Sequence, residues 1–181
     1  MKYQNLGFTL IELVVTVAMA AIVLTVGVPS FKEMTRNNRM TTATNLLVGA
    51  ANLARSEAIK RGISATLCKR NSAGNDCDSS ATWNDGWIVF ADQDGDGNFE
   101  DDGDTTLCEP GEDCLLRLSP PLASSLSLTF PRNRITFSAA GYARGFNGTF
   151  TLCDDRTGNV GKSIILSPTG RIRIDTGVSC P

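Results

Sequence analysis

Histidine is absent from the 181 residues of this chain. Its absence excludes Ser-His-Asp and Cys-His nucleophiles, and also zinc or haem sites that depend on imidazole ligands. Most general acid–base enzymes lose their usual proton carrier as well. Aromatic residues are scarce, at 7% of a composition that is 41% hydrophobic, which is typical of a folded protein with a lean core. The composition therefore favours a protein that is not an enzyme.

Basic residues are missing from one whole stretch of the chain. Residues 76–114 contain 13 acidic and no basic side chains. Residues 1–75 carry 9 basic against 3 acidic side chains, and residues 115–181 carry 8 against 3. The net charge of −2 therefore hides an acidic middle between basic ends. This distribution predicts separate interaction surfaces of opposite charge.

One long apolar run lies near the N-terminus. It extends from Phe8 to Val28 and carries a single charge, Glu12. As a helix the run spans about 31 Å, which is enough for a bilayer core. It is too long for a secretory signal peptide and no small-residue cleavage site follows it, so we expect a retained single-span anchor. Glu12 either snorkels to the headgroups or has a partner, because a carboxylate in hydrocarbon costs about 3 kcal/mol.

The residues at the start of this run resemble the processing motif of type IV pilins and pseudopilins, since they read GFTLIE from Gly7 to Glu12. The resemblance implies that residues 1–7 are a leader, that a prepilin peptidase cuts after Gly7, and that Phe8 is then N-methylated. Glu12 becomes the fifth mature residue. Pro29 falls where pilins commonly carry a helix-kinking proline. When such helices pack side by side, Glu12 of one subunit neutralises the N-terminal amine of a neighbour.

A second helical pattern covers residues 30–62. We expect Ser30 to cap this segment and Gly62 to end it, with Glu57 paired to Arg61 four residues later. Apolar residues at three/four spacing give it one apolar stripe. The stripe comprises Phe31, Met34, Leu46, Leu47, Val48, Ala50, Leu53, Ala54, Ala58 and Ile59. Residues 30–62 are thus predicted to be an amphipathic second half of the same helix, packed on a sheet.

The remainder reads as antiparallel β-structure, in short β-rich runs separated by Gly, Pro, Asn and Asp turns. The runs are 65–68, 87–91, 115–118, 126–130, 134–138, 148–153, 163–167 and 171–175. No parallel βαβ alternation is present. The predicted fold class is α+β, of the type IV pilin-like kind, with a long N-terminal helix packed on an antiparallel β-rich domain of residues 63–181.

Two further strings narrow the resemblance. Residues 54–62 read ARSEAIKRG and precede the strand at 65–68, which is similar to the helix-to-strand junction of the GspH/FimT group. Residues 170–173 read GRIR and resemble the GRxR element of FimT-type minor pilins. That element is associated with DNA uptake in the family, so the resemblance implies DNA as a partner.

The arginines of this string alternate with isoleucines. Arg171 and Arg173 are therefore expected to project from one face of a strand, while Ile172 and Ile174 enter the core. Paired arginines grip successive phosphates without reading bases. A solvated face, or arginines paired with the acidic loop of a neighbouring subunit, is the alternative. The basic surface is expected to be extended by Arg132, Arg134, Arg144 and Lys162.

Six cysteines follow the apolar run, an even count that is typical of disulfides in an oxidising compartment. They are Cys68, Cys77, Cys108, Cys114, Cys153 and Cys180. Fifteen pairings are possible, and local loop closure favours 68–77, 108–114 and 153–180. The resemblance supports 153–180 in particular, because pilin-like domains often fasten their C-terminus in this way. A zinc site is the rival interpretation, but neither histidine nor CxxC spacing supports it.

The acidic middle contains the first half of a calcium loop. Oxygen ligands at positions 1, 3 and 5 and a glycine at position 6 come from Asp92, Asp94, Asp96 and Gly97. Position 12 is Gly103 instead of Glu, although Glu100, Asp102 and Asp104 can substitute for it. The alternative is an acidic, solvated hairpin tip. We therefore expect either no cofactor or a weak calcium site.

These features favour a minor pilin of a type IV pilus that is assembled at or near the filament tip and primes assembly. Residues 8–29 are its expected anchor in the inner membrane and its expected filament core, and the C-terminal domain is periplasmic. Expected partners are the prepilin peptidase, other minor pilins, the major pilin and DNA. The alternative function is that of pseudopilin H in the pseudopilus of a type II secretion system.

Overall fold

The computed structural model describes residues 8–100, 108–109 and 111–181. The chain divides into two compact units, one ending at Asn38 and the other running from Arg39 to Pro181. In the described part of the first unit every regular element is helical, and the second unit holds all eight strands. The α+β class predicted from the sequence is confirmed.

The N-terminal helical segment has three parts. α1 spans Leu10–Ile22, a π-helical turn spans Val23–Gly27, and α2 spans Val28–Arg61. Thr9 caps α1, because its hydroxyl oxygen accepts a hydrogen bond from the backbone N–H of Glu12 at 3.3 Å. Glu12 is therefore the third residue of α1.

Pro29 lies in the first turn of α2, directly after the π-helical turn. A proline has no N–H to donate and its ring crowds the preceding turn, so a wider turn before it relieves the conflict. The hydroxyl of Thr25 donates to the carbonyl of Ala21 at 2.9 Å within this irregular stretch. The prediction that Ser30 caps a new helix is wrong, because α2 already begins at Val28 and Ser30 lies inside it.

In the second unit, α2 buries a face that is rich in alanine. The buried residues are Met40, Ala43, Thr44, Leu47, Ala50, Ala51, Ala54 and Ala58. Their three/four spacing is that of one helical face, and small side chains let the helix backbone lie close to the strands. The predicted stripe is wrong at Ile59, which is 52% exposed, and also at Phe31 and Met34 in the first unit, which are 65% and 53% exposed. Leu46, Val48 and Leu53 lie partly buried beside the core.

Among the described residues, eight strands form two antiparallel sheets. They are β1 Ser64–Lys69, β2 Trp87–Asp92, β3 Cys114–Leu118, β4 Ser127–Thr129, β5 Arg134–Phe137, β6 Gly148–Cys153, β7 Gly158–Leu166 and β8 Ile172–Cys180. The first sheet has the order β3-β2-β1-β5 and the second has the order β4-β6-β7-β8. β8 is therefore an edge strand. The main core is formed by side chains of α2 and of both sheets.

β2 is buried on both of its faces. Trp87 and Val89 belong to the main core. Ile88 and Phe90 point to the opposite side, where they form a smaller core with Cys68. This second core explains why the run WIVFA is apolar throughout instead of alternating.

Strands β7 and β8 are longer than predicted. β7 begins at Gly158 and β8 reaches Cys180, although the glycines in this stretch are typical of turns. The hairpin absorbs them through register shifts between Gly158 and Lys162. A side chain at Gly161 would meet the sulfur of Cys180 at 2.7 Å, so a glycine lets the strand pass the disulfide there.

A short 3₁₀ turn at Trp83–Asp85 was not predicted from the sequence. Thr82 caps it, and the Asp85 carboxylate accepts hydrogen bonds from the hydroxyl and the N–H of Thr82 at 2.7 and 2.8 Å. These two bonds hold the pKa of Asp85 below its usual value. The turn places Trp83 in the core, where its ring packs edge-on against Phe150 with the centroids 5.0 Å apart.

Candidate functional site

The predicted processing site begins at Gly7, which lies outside the described residues. Phe8 follows it and is exposed. The helix from Leu10 to Arg61 is long and apolar enough to cross a membrane, and none of its apolar window is buried in the protein. The cap at Thr9 places Glu12 in the first turn of α1, where the helix dipole favours a negative charge.

The end of α2 is tied to the following loops by Arg55. Its Nε donates to the carbonyl of Gly141 at 3.1 Å. A side chain at Gly170 would collide with that same carbonyl oxygen, so the helix end and two loops converge on one small spot. The string ARSEAIKRG thus has a packing role that its sequence pattern alone did not reveal.

The same string contains the predicted pair between Glu57 and Arg61. The Arg61 Nε donates to the Glu57 carboxylate at 2.8 Å, and this bond, aided by Lys60, lowers the pKa of Glu57. Gly62 has a φ of 71°, and its N–H donates to the carbonyl of Ala58 at 3.0 Å. The predicted ion pair and the predicted glycine cap are both confirmed.

The arginine turn, which we define as residues 167–173, is held through its backbone. The Gly170 N–H donates to the Ser167 carbonyl at 2.9 Å, and the Ser167 hydroxyl accepts from the Arg171 N–H at 3.1 Å. The side chains of Arg171 and Arg173 are exposed. The backbone of the turn is thus fixed while both guanidinium groups face solvent.

Two details of this turn differ from the prediction. Ile174 does not enter the core but is 43% exposed, because β8 is an edge strand and only part of its inner face is covered. Arg173 is not a free cation, since it pairs with Asp175 at 3.1 Å in an exposed ion pair. Ile172 packs against the main core as predicted.

Lys162 and Arg134 do not extend the basic surface, and this part of the prediction is wrong. In the β7–β8 ladder Lys162 is paired with Thr176, which is three residues from Arg173, so the side chains of Lys162 and Arg173 leave opposite faces of the sheet. The Lys162 ammonium donates to the Thr41 hydroxyl of α2 at 3.0 Å. Arg134 belongs to the other sheet.

Arg134 is bound to the acidic loop, which we define as residues 92–100. Its guanidinium donates to the Gly97 carbonyl at 3.0 Å and to Asn98 Oδ1 at 3.3 Å. A side chain at Gly97 would meet the guanidinium at 2.7 Å. Arg134, the first residue of β5, therefore uses its side chain to hold the loop against that strand.

The acidic loop is built around two buried carboxylates. Asp92 accepts from the Thr66 hydroxyl at 2.8 Å and from the Gly95 N–H at 2.7 Å. Asp113, which sequence reasoning did not single out, accepts from the Gln93 N–H at 2.8 Å and from the Glu100 N–H at 3.1 Å. Asp113 thus ties both ends of the loop together.

Burial is the main cause that raises the pKa of Asp92 and of Asp113, because a carboxylate loses hydration in the protein. The pKa of Asp96 is lowered instead, chiefly by the N–H and side-chain amide of Asn98. Carboxylate oxygens of Asp92, Asp94 and Asp96 lie within 4.8 Å of one another. Glu100 is not part of that group. Calcium binding remains a prediction.

The substitute ligands Asp102 and Asp104, and Gly103 between them, lie outside the described residues. The three disulfides are those that local loop closure favours: Cys68–Cys77, Cys108–Cys114 and Cys153–Cys180. No cysteine among the described residues is free. The Cys153–Cys180 bond joins the end of β6 to the end of β8 and so fastens the C-terminal strand.

Comparisons with known proteins identify the family. A family model described as Type II transport protein GspH matches residues 43–170. A second, described as Prokaryotic N-terminal methylation motif, matches residues 3–28. No curated protein sequence matches the chain.

Solved structures share the fold. One crystal form of the type IV minor pilin FimU from Pseudomonas aeruginosa is 18% identical, covers 82% of this chain and 99% of that chain, and has a TM-score of 0.56. A second form of FimU is 17% identical, covers 78% and 100%, and has a TM-score of 0.51. The minor pseudopilin EpsH from the Vibrio cholerae Type 2 Secretion System is 10% identical, covers 76% and 97%, and has a TM-score of 0.47.

The methylation motif accounts for the N-terminus, with the apolar helix right behind it, and the GspH match spans most of the remaining residues. Both are features of structural subunits, which assemble with other pilin subunits and are not enzymes. The chain therefore belongs to the GspH family, as a minor pilin or pseudopilin of a type IV pilus or a type II secretion system.

Proposed function

We propose that this protein is a minor pilin of a type IV pilus that is incorporated at or near the filament tip and primes assembly. The observation that carries the proposal is the Cys153–Cys180 disulfide, which fastens β8 directly after the exposed arginine turn. This combination resembles FimU and FimT proteins. FimU, a type IV minor pilin, also has this fold over 82% of the chain. Pseudopilin H of a type II secretion system is the alternative that the experiment below must distinguish.

The proposal includes the life cycle of the subunit. A prepilin peptidase removes residues 1–7 after Gly7 and methylates the new amine of Phe8. Residues 8–29 then anchor the subunit in the inner membrane, with residues 30–62 continuing the helix and residues 63–181 folded in the periplasm. On assembly the anchor becomes part of the filament core.

Glu12 is the proposed assembly residue within that core. Its carboxylate lies in the first turn of α1, four residues after the amine that cleavage creates at Phe8. In low dielectric an unpaired carboxylate is costly, and the amine of a neighbouring subunit neutralises it. Subunits that pack in this register are therefore favoured. Pro29 with the π-helical turn before it gives the helix an irregular point at the end of the apolar run.

Mass spectrometry of filaments sheared from cells tests the proposal. The peptide to detect runs from N-methyl-Phe8 to Lys32, the first tryptic site after cleavage. We expect it in the filaments, at lower abundance than peptides of the major pilin. Detection only in the membrane fraction, while the same filaments contain other minor pilins, would contradict the pilus assignment and favour the secretion pseudopilin.

DNA contact through Arg171 and Arg173 is a second proposed function. It is supported by the exposure of both side chains on one face of the fixed arginine turn. Arg171 is the stronger candidate, because Arg173 is already paired with Asp175. Two phosphate contacts give binding that is insensitive to sequence and weakens with salt.

Duplex DNA binding across a salt series tests this second function. Arg171→Ala/Arg173→Ala should weaken binding about tenfold and lower the slope of log K against log salt by about 2. Lys162→Ala is the matched control, since it removes a cation from the opposite face of the sheet and should leave the slope nearly unchanged. Equal binding by the double variant and the unaltered protein would exclude this interface.

A further inference from the structure

A cleft of about 510 Å³ opens beside the Cys68–Cys77 disulfide, and no residue of the arginine turn lines it. Four short segments line it, namely 68–69, 77–79, 97–98 and 131–134. Phe146 adds one aromatic wall. A concave site of this size is in the range of small-molecule sites.

The cleft is rich in positive charge. Its lining includes the cations Lys69, Arg132 and Arg134 against one carboxylate, Asp78. The Asp78 carboxylate already accepts hydrogen bonds from the N–H and the hydroxyl of Ser80 at 2.7 and 2.6 Å, and these bonds lower its pKa. The cations therefore outnumber the anion, and the anion is largely satisfied by its own loop.

Lys69 is the most informative of these cations, because the residue is only 7% exposed. Its ammonium donates to the carbonyl of Ser79 at 2.8 Å, and among the described residues it has no carboxylate within ion-pair distance. Its hydrogen-bond partner is neutral and the nearby Asp78 carboxylate lies beyond ion-pair distance, so part of the desolvation cost of the ammonium stays uncompensated. An anion in the cleft would remove that cost.

Arg132 offers the geometry that such an anion requires. In the part of the chain that the structure describes, its guanidinium has no hydrogen-bond or ion-pair partner, so its planar fork is free to bind an oxyanion in a bidentate manner. Arg134 is engaged with Gly97 and Asn98, so it forms a wall of the cleft more than a ligand.

The cleft is already held in shape. The Arg132 carbonyl accepts a hydrogen bond from Trp83 Nε1 at 3.0 Å, and the Lys69 N–H donates to the Asn133 carbonyl at 3.2 Å. The disulfide between Cys68 and Cys77 links the lining segments 68–69 and 77–79. A site whose walls are fixed in advance loses little conformational entropy when it binds a ligand.

We propose that this cleft binds a small ligand through a phosphate or carboxylate group placed between Lys69 and Arg132, with Phe146 beside the apolar part of the ligand. A compact oxyanion satisfies the ammonium and the guanidinium at once, and the volume of about 510 Å³ suits a small molecule. The site is independent of the pilus and DNA proposals.

The test uses the full-length chain, labelled with ¹⁵N, in nonionic detergent. The indole N–H signal of Trp83 reports on the cleft, because that group is bonded to the Arg132 carbonyl. The backbone signal of Gly170 reports on unspecific anion binding at the arginine turn. The two probes are inorganic phosphate and citrate, each compared with sodium chloride at equal ionic strength.

We expect a saturable shift of the Trp83 signal with at least one probe and no saturable shift of the Gly170 signal. The probe that saturates at the lower concentration identifies phosphate or carboxylate as the preferred group. Shifts no larger than those with sodium chloride would overturn the proposal. So would binding of an acidic peptide when neither small anion binds, because the cleft would then be a protein-interaction surface.

Variants sharpen the test. Arg132→Gln should weaken binding about tenfold, since it removes the fork but keeps the backbone carbonyl that holds Trp83. Arg171→Gln removes the same charge from the arginine turn and should leave the affinity unchanged. Lys69→Met is a second cleft variant that keeps the length of the buried side chain, and it too should weaken binding. Unchanged affinity in both cleft variants would refute the site.

Discussion

The acidic loop and the arginine turn carry opposite charges and use them in opposite ways. The acidic loop is held by two inward-facing carboxylates, since Asp92 within it is fully buried, Asp113 beyond it in the sequence is 5% exposed, and each accepts two hydrogen bonds from the protein. In the arginine turn the backbone is fixed, and the side chain of Arg173 is 69% exposed.

This contrast shows that charge density along a sequence does not by itself locate a functional surface. What decides is whether the charged group or the backbone beside it is already satisfied within the fold. The acidic middle of the chain is the more conspicuous pattern in the sequence, yet its two buried carboxylates are structural. The arginine turn is a shorter pattern, yet both of its guanidinium groups face solvent, and among the described residues only that of Arg173 has a carboxylate partner, the exposed Asp175.

The largest effect should come from the arginine turn, whose backbone tolerates no side chain at Gly170. Gly170 has a φ of 74°, and a Cβ there would collide with the Gly141 carbonyl and crowd Arg55. Gly170→Ala should lower the free energy of unfolding by about 3 kcal/mol, from left-handed strain and overpacking together. Urea unfolding of the full chain, followed by tryptophan fluorescence, measures it.

Gly177→Ala is the matched control for Gly170→Ala. Gly177 lies in β8 with a φ of 83°, but nothing lies within 4 Å of a Cβ at that position. Only the backbone strain should remain, at about 1–2 kcal/mol. Equal destabilisation by the two variants would show that the close contact of Gly170 with the Gly141 carbonyl contributes nothing to the effect.

The next effect should come from the buried carboxylate that closes the acidic loop. Asp113→Ala leaves the N–H groups of Gln93 and Glu100 without their acceptor and should cost about 2 kcal/mol in the free energy of unfolding. Asp175→Ala removes an exposed carboxylate and should cost at most about 0.5 kcal/mol. If both variants lost the same amount, the inward and outward regions would not differ as described.

The pH dependence of stability gives a third, smaller contrast. The pKa of Asp92 is raised in the fold, so the folded state binds the Asp92 proton more tightly than the unfolded state does. The stability that this proton contributes is present below the unfolded pKa of about 4 and is lost as the pH rises through the folded pKa. Asp92→Asn should therefore gain stability relative to the unaltered protein between pH 4 and neutrality. Chemical unfolding at several pH values measures this difference.

Asp85 provides the opposite sign. Its pKa is lowered by the Thr82 hydroxyl, so its contribution is present above the unfolded value and is lost as the pH falls through the folded pKa. Asp85→Asn should lose stability at neutral pH and match the unaltered protein in acid. If Asp92→Asn followed the same trend as Asp85→Asn, the ionised Asp92 carboxylate would not destabilise the fold as its burial indicates.

Local patterns in the sequence predicted much of the fold, because they depend on near neighbours in the chain. The Glu57–Arg61 pair, the cap at Gly62 and the strand at 148–153 are of this kind. The Cys68–Cys77 and Cys108–Cys114 pairings, with separations of 9 and 6 residues, agree with local loop closure for the same reason. Such features need no knowledge of the tertiary structure.

Features that depend on distant segments were not predictable in this way. Nothing near Asp113 in the sequence shows that it closes a loop that begins at Gln93. The contact of Arg55 with Gly141 joins residues 86 positions apart. Arg134 and Lys162 look like two more surface cations, but the sheet order places Arg134 in the other sheet, and the β7–β8 register turns Lys162 to the opposite face. Gly161 is typical of a turn in the sequence, and only its non-local approach to the Cys180 sulfur explains its place within β7.

The smallest predicted effect concerns the one way in which the acidic loop would behave like the arginine turn, by offering charge to a ligand. Asp94 and Asp96 are exposed, and their carboxylates lie within 4.8 Å of each other and of Asp92. Because Asp92 is already bonded to Thr66 and Gly95, we expect weak binding, with a dissociation constant of about 1 mM.

At that affinity, about 10 mM calcium should raise the free energy of unfolding by about 1.4 kcal/mol. Magnesium at the same concentration is the control for ionic strength, and it should stabilise less because it demands an octahedral site. Asp94→Asn should abolish the calcium effect, since it removes an exposed ligand without touching the bonds of Asp92. A calcium effect that survives Asp94→Asn, or that magnesium reproduces in full, would mean that the loop only attracts cations to its surface. The acidic loop would then hold no specific cation, and its contrast with the arginine turn would stand.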